Sequence, residues 1–525
     1  MGKVVNGYIH SENKRLVNDK GEIILKGWGI GNWLLCEGYM WQYADSSRMD
    51  RPRRIEEVIS ELIGMKAAEK FWRAYRENYF TREDVKRLKA QGYNSIRLPI
   101  NSRLFLEDEP ELVFKEEGFE IVDKVIKWCQ EEDLYVWIDM HGAPGGQTGA
   151  NIDDSIDDMP RLFMDEDKFQ KGLALWEVIA KRYADNPVVA GYDLLNEPIR
   201  PKDLSRDVPS CENLVPRLID FYKEAIRRIR AVDKWHCIAL EGHHWATDTT
   251  IFNQQYDSNW LIHFHRYWDN PEEEIFQPFL ELREKYNVPL WLGETGENTL
   301  EWFSAISSIC DQLHISYHFW PYKKMGSKSC SAEIKVPEDW QKIIDYSKKG
   351  QKPVFEKAQK ILDSFLEGIK LANCQLHDET DASILRNGAY TVKANSFGEN
   401  PSFLKANPKN ANIVGYKTNA GIELSLSPKI ERNDDLTQLG NWVSYDIVLY
   451  AGETVSYAKP NFDFKRLVLV ISKIYEPSDF EILGEIFEAV DEAGEVVLEN
   501  FDNKSTNIEL SCLKGKIQIE SLRFE

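Results

Sequence analysis

Between residues 22 and 369, runs short and apolar enough to be buried strands alternate with segments of helical period, and no other feature constrains the fold as tightly. The strand-like runs are Glu22–Ile30, Asn94–Ile100, Leu134–Met140, Val188–Leu195, Cys237–Leu240, Trp260–Phe264, Val288–Gly296 and Ile315–Phe319. Strands buried on both faces read as continuous apolar runs rather than as alternation, which suits a parallel sheet. Between them the chain predicts helices near Arg54–Ile63 and Ala67–Tyr75, then one opening at Thr81, where Asp84 stands three residues on in the place of a capping-box acid. Further helices are expected at 119–131, 168–184, 214–230, 271–286 and Val354–Ile369, the last with Val354, Ala358, Ile361, Phe365 and Ile369 at helical spacing. Strand–helix alternation argues for a parallel sheet, and eight units argue for its closure into an α/β (β/α)8 TIM barrel over residues 1–372.

Residues 373–525 have another texture. Short runs of period two (Tyr390–Val392, Gly421–Leu426, Trp442–Tyr450, Leu467–Ile471, Ile517–Ile519) are separated by Gly, Asn and Pro, which predicts an all-β sandwich as an ancillary domain. Residues 395–412, rich in Asn, Pro, Lys and Ser, are expected to form a long surface loop.

In a barrel of this type the chemistry sits where the strands end. The run VVAGYDLLNEP places Asn196 and Glu197 at such an end, before a proline that cannot continue the ladder, and VPLWLGETG offers Glu294 in the same posture. Other strand ends supply Arg97, His141, Glu241, then His265 and Tyr267, and Trp320. Two facing glutamates suit the cleavage of a glycosidic bond. One protonates the departing oxygen while the other, as a carboxylate, stabilises the oxocarbenium-like centre. Arg97 at a neighbouring strand end could hold the second acid ionised, and Asn196 could hydrogen-bond a sugar hydroxyl beside the bond being broken.

The net charge of −21 (65 basic against 86 acidic residues) disfavours nucleic acid and anionic membranes as partners. No apolar run reaches the length of a membrane span, and the start of the chain lacks an apolar signal core, so the expected compartment is the cytoplasm. A secreted chain already stripped of its signal peptide is the alternative. The eight cysteines are scattered and include no CxxC pair, which suggests neither a zinc site nor a dense disulfide framework. No cofactor is implied, and the oligomeric state is left open. Aromatic residues make up 12% of the chain, compatible with stacking on pyranose faces and equally with a large core.

The set Arg97, His141, Asn196-Glu197-Pro198, His265-Arg266-Tyr267, Glu294 and Trp320 resembles the signature of glycoside hydrolase family 5, the cellulase-like retaining (β/α)8 glycosidases, over about residues 15–370. The resemblance implies that Glu197 is the acid/base and Glu294 the nucleophile. It implies further that Arg97 supports the nucleophile, that His141 and Asn196 bind sugar hydroxyls, that His265 and Tyr267 orient the pair, and that Trp320 floors the site. Three stretches, GWGIGNWLLCEGYMW, FWRAYRENYFTREDVKRLKAQGYNSIRLPI and HGAPGGQTG, look closest to the exo-β-glucanases of the family, which adds Glu37 as a residue gripping the terminal sugar. The expected activity is then exo-hydrolysis from the non-reducing end of β-linked gluco-oligosaccharides or β-glucosides, with an endo-acting β-glucanase or β-mannanase as the alternative. The chain departs from those enzymes in the acidic run 146–165 and in WPYKKMGSKSC after the eighth strand. Its C-terminal region resembles carbohydrate-binding modules faintly, in LGNWVSYDIVLYAGE.

Two rival classes remain open at this level. A metal-dependent barrel hydrolase is suggested by His263-x-His265 and by His243-His244, although alternation along the strand is expected to turn the first pair apart. A non-catalytic sugar-binding protein on the same scaffold would not require both acids.

Overall fold

The computed structural model describes residues 5–43, 48–108, 111–202, 210–398, 401–403, 416–417, 420–430, 441–489, 492–499, 501 and 506–525. The chain divides into two compact units, one of residues 1–266, 278–296 and 314–377, the other of 267–277, 297–313 and 378–525.

Eight parallel strands close into a barrel: β1 (Lys26–Gly29), β2 (Ser95–Asn101), β3 (Tyr135–Gly142), β4 (Val189–Asp193), β5 (Cys237–Glu241), β6 (Trp260–Tyr267), β7 (Leu290–Gly296) and β8 (Ser316–Trp320). Their order around the barrel is their order in the chain, β8 closing on β1 through Phe319 beside Trp28. Strands β2, β3, β4, β5, β7 and β8 are buried along their whole length, as their apolar runs require. Inside, Trp137 and Trp291 stack at 4.5 Å, and Trp291 donates its indole N–H to His318 at 2.8 Å. The interior below the site is thus a packed aromatic core.

Helices form where the apolar stripes predict them, at Glu116–Glu132, Glu166–Tyr183, Val215–Val232, Gln277–Tyr286 and Phe355–Gly368. The Thr81 capping box also forms: the Thr81 backbone N–H donates to Asp84 Oδ2 at 2.7 Å and opens helix Arg82–Gln91. The other oxygen of buried Asp84 receives Lys323 Nζ at 2.6 Å. This gives a structural reason for the unusual WPYKKMGSKSC run, since Lys323 ties the chain after β8 to that helix start.

The insertion after β1 carries helices Pro52–Ile63 and Met65–Tyr79. Trp41, Phe71 and Tyr75 pack with Trp340 and Phe365, the rings of Trp41 and Phe365 lying 4.8 Å apart. The acids of residues 146–165 meet the arginines of this insertion: Arg51 and Arg54 pair with Asp158, Arg53 pairs with Asp154, and Arg103 after β2 also binds Asp154. The acidic run therefore has its counter-charge within the same unit.

In the second unit, helix Leu300–Leu313 packs on helix Asp378–Leu385 and on β9 (Tyr390–Lys393). Arg386, almost wholly buried, donates to Asp311 at 2.5 Å, and Ser304 Oγ donates to the Thr391 carbonyl at 3.3 Å. The β-sandwich follows: β10 (Glu423–Leu426), β11 (Tyr445–Tyr450), β12 (Thr454–Ala458), β13 (Arg466–Ile482), β14 (Glu485–Ala489), β15 (Gly494–Glu499) and β16 (Asn507–Phe524). The two long strands β13 and β16 pair antiparallel with repeated register breaks between Val470 and Phe480, which let them bend and take different partners at their two ends. Of the loop expected at 395–412, residues 399–400 and 404–412 lie outside the described residues.

Cutting the chain after residue 377 removes every partner that helix Leu300–Leu313 has in residues 378–393. Such a truncation is expected to lose soluble expression, or to melt at least several degrees below the full chain in a thermal scan. An equally stable truncated protein would mark residues 378–525 as dispensable.

Candidate active site

Arg97, on β2, points into the barrel mouth and is fully buried. A buried guanidinium must be paired and hydrogen-bonded, and this one is paired with four carboxylates. Its Nε donates to Asp193 at 2.9 Å, Nη1 to Glu294, and Nη2 lies 3.0 Å from Asp139 and 3.3 Å from Glu241. These acids come from β3, β4, β5 and β7, so one side chain gathers four of the eight barrel strands. Nη2 also donates to Asn196 Oδ1 at 2.8 Å.

Around this hub the other polar groups have assignable roles. His141 meets Asp139 through Nδ1 at 2.7 Å, and burial pulls its pKa down to about 3, so the ring is neutral with its proton on Nδ1. Its Nε2 then accepts from Asn196 Nδ2 at 3.2 Å, which fixes the Asn196 amide between His141 and Arg97. Glu37, also buried, brings Oε1 within 3.8 Å of the same Nε2. Trp320 stacks on the His141 ring at 5.2 Å with planes 7° apart and donates its indole N–H to Tyr39 at 3.0 Å. Gly29 and Gly31 leave the room for it: a Cβ there would come within 2.4 and 2.6 Å of the Trp320 ring.

Glu197 follows β4 in a left-handed backbone conformation, φ 43°, held by two contacts. Its N–H donates to Glu241 Oε2 at 2.6 Å, and its carbonyl accepts from Thr148 Oγ1 at 2.7 Å. Gln147 braces the same turn, donating to the carbonyls of His141 and Asn196. The Glu197 side chain meets His265 Nδ1 at 2.7 Å, and that nitrogen lies 3.6 Å from Glu294 Oε2. One carboxylate oxygen of Glu197, one of Glu294 and a His265 nitrogen all lie within 4.8 Å of one another.

The two glutamates are biased in opposite directions. Burial and the neighbouring Glu294 charge push the Glu197 carboxyl up, against the opposing pull of His265. Burial pushes Glu294 the same way, but His265 and Arg97 outweigh it and hold its carboxyl below the ordinary value. Environments that split a carboxyl pair in this way assign one as acid and the other as anion. Although burial opposes its charge, Glu294, Glu241 and Glu197 raise His265 well above the usual range, so it is an imidazolium at neutral pH. Burial and the charge on His265 keep His263 neutral. Burial and Asp193 raise Glu241 to about 8.

Of the nine residues that the sequence nominated, Glu37, Arg97, His141, Asn196, Glu197, His265, Glu294 and Trp320 converge here. Tyr267 ends β6 half-buried with its ring 5.5 Å from Trp268, and belongs to the second compact unit. One expectation is corrected: His263 and His265 do not diverge but meet at 3.1 Å between their Nε2 atoms, because residues two apart on a strand share a face. Asp139, Asp193, Gln147 and Thr148 escaped the sequence reading, and His263 entered it only as a candidate metal ligand. The usable signal was an acid inside an otherwise apolar strand, as in VWIDM and GYDLL, which a parallel barrel can bury only against a cation.

Residues 56–326 match the family model described as cellulase (glycosyl hydrolase family 5). The chain belongs to that family. It is 32% identical over 246 residues to a β-xylosidase of Phanerodontia chrysosporium, covering 47% of this chain and 48% of the xylosidase. It is 28% identical over 205 residues to a glucan 1,3-β-glucosidase of Lachancea kluyveri, covering 37% and 46%. It is 21% identical over 317 residues to endoglucanase C of Acetivibrio thermocellus, covering 49% and 87%. The chain thus spans about half the length of the first two relatives.

Two outcomes follow from the split glutamate pair. With Glu294 as the carboxylate that the resemblance implies, it is ionised above its depressed pKa, so the acid limb of kcat/KM should fall below the usual glutamate value of about 4.3. With Glu197 as the acid that the resemblance implies, it holds its proton below its raised pKa, so the alkaline limb should lie above that value. Arg97→Lys, which keeps the charge but cannot span several carboxylates, should move the acid limb upward and lower kcat/KM by roughly 100-fold or more. An unshifted acid limb in that variant would separate Arg97 from the ionisation of Glu294.

Proposed function

We propose that this family 5 chain is a retaining glycoside hydrolase that releases single sugars from the non-reducing end of β-linked gluco-oligosaccharides or β-glucosides. The observation that carries the proposal is the approach of Glu197 and Glu294 to within 4.8 Å between carboxylate oxygens, with opposite protonation bias. Retaining pairs stand about 5–5.5 Å apart, whereas inverting pairs leave about 6.5–9.5 Å for a water.

In the first step the Glu294 carboxylate attacks the anomeric carbon, and Glu197 gives its proton to the departing glycosidic oxygen. One C–O bond forms to Glu294 and one breaks, leaving a covalent glycosyl-enzyme. In the second step Glu197, now a carboxylate, takes a proton from water. The hydroxyl attacks the same carbon and Glu294 leaves, so two inversions restore the configuration. Asn196, held by Arg97 and His141, keeps an amide hydrogen for the sugar hydroxyl next to the reacting carbon.

Exo action is supported by Glu37 beside His141, which offers a terminal sugar a carboxylate, and by the rim. The insertion after β1 and the acidic segment 146–165 are joined through the Arg51, Arg53 and Arg54 pairs, a continuous wall on one side of the strand ends. The likeness to a glucan 1,3-β-glucosidase accords with this, and the likeness to an endoglucanase keeps the endo mode as the alternative outcome.

For residues 378–525 a structural role is proposed in place of polysaccharide binding. Their single tryptophan, Trp442, is buried, and the exposed ring of Tyr475 already has the ammonium groups of Lys473 and Lys516 at 4.4 and 4.5 Å from its centre.

Glu294→Ala should lose nearly all activity, with external azide restoring part of it as a glycosyl azide of inverted configuration. Full activity in that variant would end the assignment. Glu197→Ala should lose about 10²–10⁴-fold on oligosaccharides, which need a proton at the leaving oxygen. It should lose far less on aryl glycosides with acidic phenols, measured as formation of the glycosyl-enzyme. On a soluble β-glucan, reducing sugar should accumulate as monosaccharide while viscosity falls slowly. A rapid early drop in viscosity would instead establish endo cleavage.

A further inference from the structure

The loop after β5 contains three consecutive non-glycine residues in the left-handed region: His244 at φ 54°, Trp245 at 55° and Ala246 at 57°. An L-residue pays for that conformation in sterics, and three in succession persist only where the surroundings impose them. Hydrogen bonds from Asp248 N–H to the His243 carbonyl at 3.1 Å and from Thr247 N–H to the His244 carbonyl at 3.3 Å close the turn. Its geometric effect falls on the two histidines. On a strand, neighbouring side chains point to opposite faces; here the rings of His243 and His244 lie side by side, centroids 4.5 Å apart.

Oxygen donors stand beside both rings. His244 Nε2 is 3.1 Å from Glu212 Oε1, and His243 Nδ1 is 3.4 Å from Asp248 Oδ1. Both nitrogens are buried, yet neither makes a hydrogen bond of acceptable geometry. A nitrogen this near a carboxylate oxygen, without the alignment a shared proton needs, fits two donors directed at a common third atom. Donor atoms of Glu212, His243 and His244 lie within 4.8 Å of one another. A tetrahedral ion with bonds of about 2.0–2.1 Å separates its donors by about 3.3–3.4 Å, close to the 3.1 Å between His244 and Glu212.

We propose that His243, His244 and Glu212 form a binding site for a divalent transition ion of the zinc class, with Asp248 beside the His243 ring. Two imidazoles and one carboxylate are a borderline donor set suited to Zn(II), with water to complete four-coordination, and poorly suited to the all-oxygen preference of calcium or magnesium. The site is separate from the glutamate pair and carries no step of the hydrolysis. It joins the segment before helix Val215–Val232 to the β5 loop. The His244 N–H donates to the Ile199 carbonyl at 2.9 Å, two residues after Glu197, and Ile199 is itself left-handed at φ 55°. The bound ion would therefore clamp the turn that presents Glu197.

The test uses the full-length, tag-free chain stripped with chelator and titrated with Co(II). Expected are the visible d–d bands of tetrahedral Co(II), saturating at one equivalent and displaced by Zn(II). Zn(II) should also raise the melting temperature. His244→Asn keeps a residue that tolerates the left-handed turn while removing the imidazole, and Glu212→Gln changes an exposed position outside the turn. Each should weaken Co(II) binding by more than about 100-fold, beyond the loss typical of a supporting partner, and should abolish the Zn(II) effect on melting. Saturation without tetrahedral bands would overturn the proposal. So would one equivalent bound with unchanged affinity in both variants, which would place the ion elsewhere.

Discussion

Everything at the mouth of the barrel depends on one guanidinium. Arg97 has no solvent exposure and touches Asp139, Asp193, Glu241 and Glu294. A pairing of this kind does not arise for stability alone, since a buried ion pair rarely gains on an apolar replacement of equal volume. Its removal would nonetheless be severe, because four buried acids from four strands would face one another without their shared cation. The fold is thus committed to Arg97, and Arg97 commits the fold to a rim of acids. Burial raises three of them, Asp139, Asp193 and Glu241, while Glu294, facing both Arg97 and His265, goes down. The surroundings thus set the Glu294 carboxyl apart from the three acids beside it.

Much of this was legible in the sequence, for physical reasons. Parallel strands buried on both faces leave no alternation, so their apolar runs are conspicuous, and a polar residue ending such a run has nowhere to sit but the rim. Glu197, Glu294, Arg97 and His141 could be found in that way. The internal acids could not be placed with the same ease. Asp139 lies inside its strand and Asp193 inside the apolar run Val188–Leu195, where a lone acid reads equally as a strand end reached early. The pairing of His263 with His265 needed only the two-residue period of a strand, correctly applied.

The arrangement of the second unit was less legible. Helix Leu300–Leu313 carries Trp302, Phe303, Ile306 and Cys310 in a buried stripe, and a stripe does not say what it packs against. Here it takes Asp378–Leu385 and Tyr390–Lys393 as neighbours, so that a segment flanked in sequence by β7 and β8 is completed by residues far along the chain. The acidic run 146–165 was opaque in another way. Its charge looked anomalous until Arg51, Arg53, Arg54 and Arg103 were found opposite it, and those arginines lie some 50 to 110 residues earlier in the chain.

The contacts around Arg97 also form a chain joining the two glutamates. Glu197 accepts from His265, His265 Nε2 meets His263, His263 Nδ1 meets Asp193, Asp193 accepts from Arg97, and Arg97 donates to Glu294. Each protonation state is therefore felt by the other end. On the proposed course, Glu294 loses its negative charge once it is esterified by the sugar. The repulsion that helped to keep Glu197 protonated then vanishes, while Arg97 and the His265 imidazolium remain. Glu197 becomes a stronger acid at the moment when it has just given up its proton and must not regain it from solvent. The ester thus resets the carboxyl opposite it from donor to acceptor, with no movement of the backbone, and the substrate itself acts as the switch.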